Sequence, residues 1–128
     1  MEEKNNPLSP HLQIYRWQIS SLLSITHRIV GVINIIAITI ICFWSLSLLL
    51  GAENYLIINN FFQSFFGKFV AVGLCWTFSF HILNELRHLF WDLGYGFDLK
   101  ISKITGVLAL VGSFALTVLF YLIGKNIF

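Results

Sequence analysis

Two histidines and two carboxylates share one side of the helix expected from Phe78 to Asp92, within a stretch that is otherwise mostly apolar. An α-helix turns about 100° per residue, so His88 points within about 20° of His81, and Glu85 and Asp92 point within about 40° of it. Ionisable side chains cost free energy inside a membrane and need a partner, a cavity or a bound group there. This stripe therefore predicts a ligand site, unless the histidines only form hydrogen bonds between helices.

The composition and the apolar runs indicate the class of protein. The 128 residues are 57% hydrophobic and 11% charged, whereas soluble domains average about 25% charged. Runs 29–50 and 104–124 lack charges over 22 and 21 residues, and about 20 are enough to cross the hydrocarbon core. A third span is predicted at 65–88, where Lys68 can extend its ammonium to the interface. We predict an all-α membrane anchor: a single integral membrane domain with three transmembrane helices after a polar lead-in at 1–19.

The lysines and arginines predict the orientation of these spans. The net charge of +2 is small and the cations are dispersed, which argues against nucleic-acid binding. Residues 51–63 are expected to form a short connector without lysine or arginine. An N-terminus on the cytoplasmic or matrix side gives that side six cations and the opposite side two, a clear positive-inside bias. The six are Lys4, Arg16, Arg28, Arg87, Lys100 and Lys103, and the two are Lys68 and Lys125.

A second polar patch runs into the first span at the same predicted depth as the histidine stripe. It contains small and polar residues on one side of a helix, with Arg28 at its flank: Ser20, Ser24, His27, Gly31 and Asn34. Such a patch is also typical of plain helix packing through small residues, and that alternative stays open.

The chemistry that suits both patches together is haem binding. A neutral imidazole is a good ligand for haem iron, and the propionates need cationic or hydrogen-bonding partners. His81 is the deeper histidine of its span and suits the iron, whereas His88 is nearer to water and suits a propionate, with Arg28 or His27 as further propionate candidates. The third span contains no histidine, so a second axial ligand is expected from another chain.

Three motifs occur in the order and spacing of a known family. They are Ser9-Pro10-His11-Leu12-x-Ile14-Tyr15, Ser24-Ile25-x-His27-Arg28-x-x-Gly31 and His81-x5-Arg87-His88-Leu89-x-Trp91-Asp92-x-Gly94. In these motifs and in its three-span layout, the chain resembles the cytochrome b membrane-anchor subunit of succinate dehydrogenase over essentially its whole length. The resemblance implies that the three helices form part of a larger heteromeric helical bundle.

In that family, the complex oxidises succinate at a flavin in a soluble subunit and passes electrons through iron–sulfur clusters to ubiquinone. The resemblance therefore implies three protein partners besides the lipid bilayer: a flavoprotein subunit, an iron–sulfur subunit, and a second membrane anchor that supplies the other haem ligand. It implies haem b as the shared cofactor, ubiquinone as substrate and no catalytic residue in this chain. It also implies a multi-pass protein of a bacterial cytoplasmic membrane or a mitochondrial inner membrane.

The resemblance also implies roles for individual residues. His81 matches the ligand of the haem iron and His88 the histidine near a propionate, while Ser24 and Arg28 match the serine and arginine of the quinone site. The sequence departs from the family at Glu85, where glycine is usual. A carboxylate there is expected either to pair with Arg87 or another cation, or to repel the haem propionates.

Three other functions compete with this interpretation. A purely structural anchor would dock a soluble enzyme without binding a cofactor, and the histidine stripe would then serve interhelical packing. A fumarate reductase anchor would share the same layout. A proton-translocating subunit would need ionisable groups across the whole bilayer, and here the third span has none between residues 104 and 124.

Overall fold

The computed structural model describes residues 17–127, which form four helices joined by short turns. The helices are α1 (Ile19–Leu49), α2 (Ala52–Gln63), α3 (Phe65–Asp92) and α4 (Leu99–Ile127). Of these, α1, α3 and α4 are long and apolar enough to cross a membrane. This confirms the prediction of an all-α protein with three spans. The motif at 9–15 and nearly all of the expected lead-in lie outside the described residues.

Each long helix includes polar residues beside the apolar run that was expected to span. Helix α1 begins at Ile19, ten residues before the predicted run, because the segment up to Arg28 contains no glycine or proline that would stop it. Helix α3 continues four residues beyond His88 to Asp92. The polar patch and the histidine stripe therefore both lie on continuous helix, and side chains one turn apart keep a fixed angular relation.

The connector between the first two spans is itself helical. Residues 52–63 form α2, whose 12 residues are too few to cross the hydrocarbon core. Ser64 separates α2 from α3, and its hydroxyl oxygen accepts a hydrogen bond from the backbone N–H of Gly67 at 3.1 Å, which caps the start of α3. At Gly67 a Cβ atom would collide with the backbone of Phe61, so the close approach of the two helices requires glycine.

Helix α3 is the centre of the bundle and packs against both α1 and α4. Leu23, Val30 and Phe80 form the buried apolar cluster where the spans meet, with Trp76 and Leu110 packed against it. Helices α1 and α4 also approach closely, since a Cβ atom on Gly106 would lie only 2.5 Å from Leu23 Cδ1. Most other large apolar side chains of the spans point outward, where they would face lipid or a partner helix.

Candidate functional site

Three imidazole rings gather between α1 and α3. The rings of His27 and His81 are stacked, with centroids 4.4 Å apart and planes at 11°. The ring of His88 lies 5.4 Å from that of His27. Gly31 lies one turn after His27, and a Cβ atom there would already contact Cε1 of His81 at 3.6 Å. A longer side chain at Gly31 would therefore compete with the His81 ring for space.

Glu85 lies at the open edge of this cluster. Its Oε1 atom is 3.0 Å from His27 Nε2 and 3.9 Å from His81 Nε2. The side chain of Glu85 is 56% exposed, against 32% for His81. The sequence left two outcomes open for Glu85, pairing with Arg87 or another cation, or repelling the haem propionates. In the structure its neighbours are the two histidines, and Arg87 points to a different helix.

Two ring nitrogens of the cluster are buried without a hydrogen-bond partner in the described part of the chain, His27 Nε2 and His81 Nδ1. His27 Nε2 is within ion-pair distance of Glu85 but does not meet the geometry of a hydrogen bond. Ligand atoms of His27, His81 and Glu85 all lie within 4.8 Å of one another. Imidazole and carboxylate are both common ligands of transition metals, so the donor set can hold a metal-containing group.

His88 is held in one orientation by the backbone of its own helix. Its Nδ1 atom lies 2.8 Å from the carbonyl oxygen of Asn84, and because a carbonyl only accepts, Nδ1 must carry the proton of this hydrogen bond. The ring also meets the indole of Trp91 edge-on, with centroids 5.2 Å apart. The other nitrogen, Nε2, is therefore an acceptor when the ring is neutral and a donor only when it is an imidazolium.

Arg87 joins α3 to α4 in a way that the sequence alone did not reveal. It is only 7% exposed, and its Nη2 atom donates to the carbonyl oxygen and hydroxyl of Ser102 at 3.0 and 2.9 Å. Its Nε atom donates to the hydroxyl of Thr105 at 3.2 Å. The guanidinium also lies over the ring of Trp91, 4.1 Å from its centroid. A buried arginine with these partners is satisfied structurally and has little freedom to reach Glu85.

A cavity of about 410 Å³ opens between α1 and α3 beside the histidine cluster. Most of the residues that line it are polar, with Ile25 as the apolar exception: Ser20, Ser21, Ser24, Ile25, Asn84, Arg87, His88 and Trp91. Cavities of this size hold small organic ligands, and a few convergent polar groups fix their orientation.

The two residues that were expected to share a quinone pocket lie one turn apart on α1. Ser24 forms part of the cavity wall, together with His88. Arg28 lies one turn later on α1 and is exposed, but it is not among the residues that line the cavity. The roles predicted for Ser24, Arg28, His27, His81 and His88 stay predictions.

Sequence reasoning missed Asn84, which is fully buried and also forms part of the cavity wall. Its position was a signal that could have been used, because an amide in the middle of a span needs hydrogen-bond partners. Thr77, by contrast, is satisfied locally: its hydroxyl donates to the carbonyl oxygen of Leu74 at 2.7 Å.

The fold and the site together define a class, that of a three-span helical membrane protein whose titratable side chains gather between two spans. The sequence pattern of the family described as "Succinate dehydrogenase/Fumarate reductase transmembrane subunit" matches residues 2–120. The chain belongs to this family.

Individual relatives agree with that assignment. The chain is 44% identical over 115 residues, 90% of each chain, to the succinate dehydrogenase cytochrome b556 subunit of Rickettsia felis. It is 33% identical over 115 residues to the subunit of the same name from Paracoccus denitrificans, covering 90% of this chain and 88% of that one. The succinate dehydrogenase cytochrome b560 subunit of Reclinomonas americana is 35% identical over 127 residues, covering 93% and 86%.

Proposed function

We propose that this chain is the membrane-anchoring subunit of a succinate dehydrogenase that binds haem b and quinone and helps to pass electrons from succinate to ubiquinone. The observation that supports this most directly is the gathering of His27, His81 and His88 between two spans in a family with relatives named as cytochrome b subunits. The succinate-oxidising site would lie on a flavoprotein partner, linked by an iron–sulfur subunit, and a second membrane anchor would complete the bundle.

The residues present fit a haem. His81 would be the axial ligand, because its imidazole is partly exposed at the side of the bundle, where a ligand from a second anchor can approach. A haem bound there would supply one-electron redox chemistry. The stacked ring of His27 covers one face of His81 and so limits rotation of the ligand ring. The carboxylate of Glu85 must turn away from His81 Nε2, and its high exposure leaves it room to do so.

His88 and His27 would hold the propionate end. The hydrogen bond from His88 Nδ1 to Asn84 fixes the ring, so only the imidazolium form can donate from Nε2 to a carboxylate. His27 is already beside one carboxylate, that of Glu85. A propionate that approached His27 would therefore have to displace the Glu85 side chain.

The cavity beside Ser24 is the proposed site for the quinone head group. Ser24 would offer a hydroxyl to a quinone carbonyl oxygen, and the cavity wall also includes His88, so a head group bound there would lie next to the proposed haem site. Arg28, one turn away and exposed, would supply a positive charge beside Ser24 without lining the cavity. A guanidinium there stabilises negative charge that develops during reduction.

Two alternative functions compete with this proposal. A cofactor-free anchor is favoured by the close stacking of His27 on His81, which by itself is ordinary helix packing. A fumarate reductase anchor is favoured by the description of the family, which covers both enzymes. The absorption spectrum of the complex purified with this chain distinguishes the proposal from a cofactor-free anchor, since a low-spin haem gives sharp bands on reduction. A spectrum without haem bands from an intact complex would contradict the proposal.

The same preparation tests the partners and the direction of catalysis. Mass spectrometry should identify a flavoprotein, an iron–sulfur protein and one further small membrane protein. Succinate oxidation with ubiquinone should exceed fumarate reduction with a low-potential quinol. The reverse ratio would favour the fumarate reductase alternative.

The proposed orientation places the N-terminus in the cytoplasm or matrix and the C-terminus on the opposite side of an inner membrane. Reporter fusions after Asn54 and after Lys103 should then give opposite signals, because the first position lies in α2, before the span α3, and the second lies at the start of α4, after it. The fusion after Lys103 should report the N-terminal side, since the larger number of lysines and arginines is retained there. Equal signals at both positions would exclude this topology.

A further inference from the structure

Most buried polar side chains in the described part of the spans satisfy their hydrogen bonds within their own helix. The hydroxyls of Ser47, Ser79 and Ser113 donate to backbone carbonyl oxygens three or four residues earlier. Thr117 does the same, with its hydroxyl 2.8 Å from the carbonyl oxygen of Ser113. Such bonds allow a hydroxyl to lie in an apolar interface at little cost.

The two buried asparagines are the exceptions among the described residues: Asn34 Oδ1 has no hydrogen-bond partner, and Asn84 is less satisfied still. It is 0% exposed, and neither its Nδ2 nor its Oδ1 atom has a hydrogen-bond partner in the described residues. A buried polar group without a partner is expensive, and the rare examples need a specific explanation such as a bound water or ligand. Asn34, another buried asparagine, donates from Nδ2 to the carbonyl oxygen of Thr77 at 3.5 Å.

The position of Asn84 suggests what its partner is. It forms part of the wall of the cavity that also contains Ser24 and His88. Asn84 and His88 lie one turn apart on α3, so they face the same patch of the helix surface, while Ser24 belongs to α1 across the cavity. Because Asn84 is 0% exposed, its amide does not face the open cavity as it stands. The terminal torsion of an asparagine side chain is broad and soft, so the amide can turn toward a molecule in this space.

We propose that Asn84 is a ligand-binding residue of this cavity, and that its amide forms a hydrogen bond with an oxygen of the quinone head group opposite Ser24. This rests on the function proposed above. An amide suits both forms of such a ligand, because Nδ2 donates to the carbonyl oxygen of a quinone and Oδ1 accepts from the hydroxyl of a quinol. Ser24 and Asn84 would then hold the head group from two helices, which fixes its orientation.

The test replaces Asn84 with leucine, which has a similar shape but no hydrogen-bonding atoms. In the complex assembled in native membranes, the KM for a short-chain ubiquinone should rise about threefold to tenfold, the range for the loss of one net hydrogen bond. Succinate oxidation with a dye that bypasses the membrane site should be unchanged, and so should the haem content. The matched control is Asn34→Leu, which removes the other buried amide but lies outside the cavity wall and should leave the KM unaltered.

The outcomes separate this proposal from the function on which it rests. If the wild-type complex shows no quinone reduction, the proposed function itself fails. If quinone reduction depends on Ser24 but the KM of the Asn84→Leu complex equals that of wild type, Asn84 binds only water or nothing, and the present proposal is overturned. An equal rise in KM in the Asn34 control would also overturn it, as a general packing effect. Should the leucine variant not assemble, Asn84→Ala gives the same comparison, and failure of both variants to assemble would make Asn84 a folding residue instead.

Discussion

Replacing His81 with leucine should remove most of the haem from the assembled complex. The haem content per complex is expected to fall by more than about tenfold, since even the loss of an outer partner of a metal ligand weakens binding by about 10–100-fold. The stacked ring of His27 is not expected to substitute for the ligand, because it is packed against the place that His81 occupies. The measurement is the difference spectrum of reduced minus oxidised complex, normalised to the flavin of the soluble partner.

His88→Gln is the matched control for this result. His88 is on the same helix as the proposed ligand, but its ring is hydrogen-bonded to the backbone carbonyl oxygen of Asn84. Glutamine keeps a hydrogen-bonding group there, so the haem should stay bound while its midpoint potential shifts, because contacts to a propionate change the electrostatics without bonding the iron. Full haem content in the His81→Leu complex would falsify the ligand assignment, and loss of haem in both variants would indicate a general defect of the α1–α3 interface.

Ser24→Ala and Arg28→Leu should each lower succinate oxidation with quinone at least ~10-fold, equivalent to about 1.4 kcal/mol in the activation barrier. The first substitution removes the hydroxyl of a residue that lines the cavity, and the second removes the cation one turn away on the same helix. Oxidation of succinate with a bypass dye should be retained in both complexes, because the soluble site is unaffected. If the rates with quinone equal those of wild type, Ser24 has only a packing role and Arg28 only an interfacial one.

The structure also predicts that the two substitutions change different kinetic parameters. Because Ser24 is in the cavity wall and Arg28 is not, Ser24→Ala should mainly raise the KM for quinone, whereas Arg28→Leu should mainly lower kcat. Arg28→Lys keeps the charge and should recover part of the rate. Ser45→Ala is the control for the serine substitution, since Ser45 is an exposed serine of the same helix, about 30 Å away along its axis.

On helix α3, the direction of the polar side chains follows from the sequence, but their partners do not. The common direction of His81, Glu85 and His88 follows from the turn per residue alone, and the three side chains do meet at one cluster. The same reasoning left the role of Glu85 open between pairing with Arg87 or another cation and repelling the haem propionates. Neighbours on one helix point in different directions, and the structure shows Arg87 turned toward Ser102 on α4, while Glu85 lies beside His27 on α1.

On helix α1, the structure adds which residue lines the cavity. Ser24 and Arg28 lie four residues apart, a spacing that places them on the same side of a helix, and the sequence therefore treated them as one patch. A helix side is wide, however, and α3 covers only part of it. The rotation of α1 against α3 brings Ser24 into the cavity wall and leaves Arg28 outside it, which no spacing within α1 could predict.

The sequence by itself determined the three spans, the family motifs and the direction of each polar side chain around its own helix, because these depend on local hydropathy and on the fixed geometry of one α-helix. Only the tertiary structure decided which sides meet: His27 stacks on His81, Arg87 bonds Ser102, and Asn84 lies beside a cavity with no side-chain partner among residues 17–127. The physical reason is that the rotation and separation of packed helices depend on contacts between residues far apart in the chain, such as Gly106 against Leu23. Those contacts are set by the shapes of both surfaces together, so they leave no periodic signal in either helix alone.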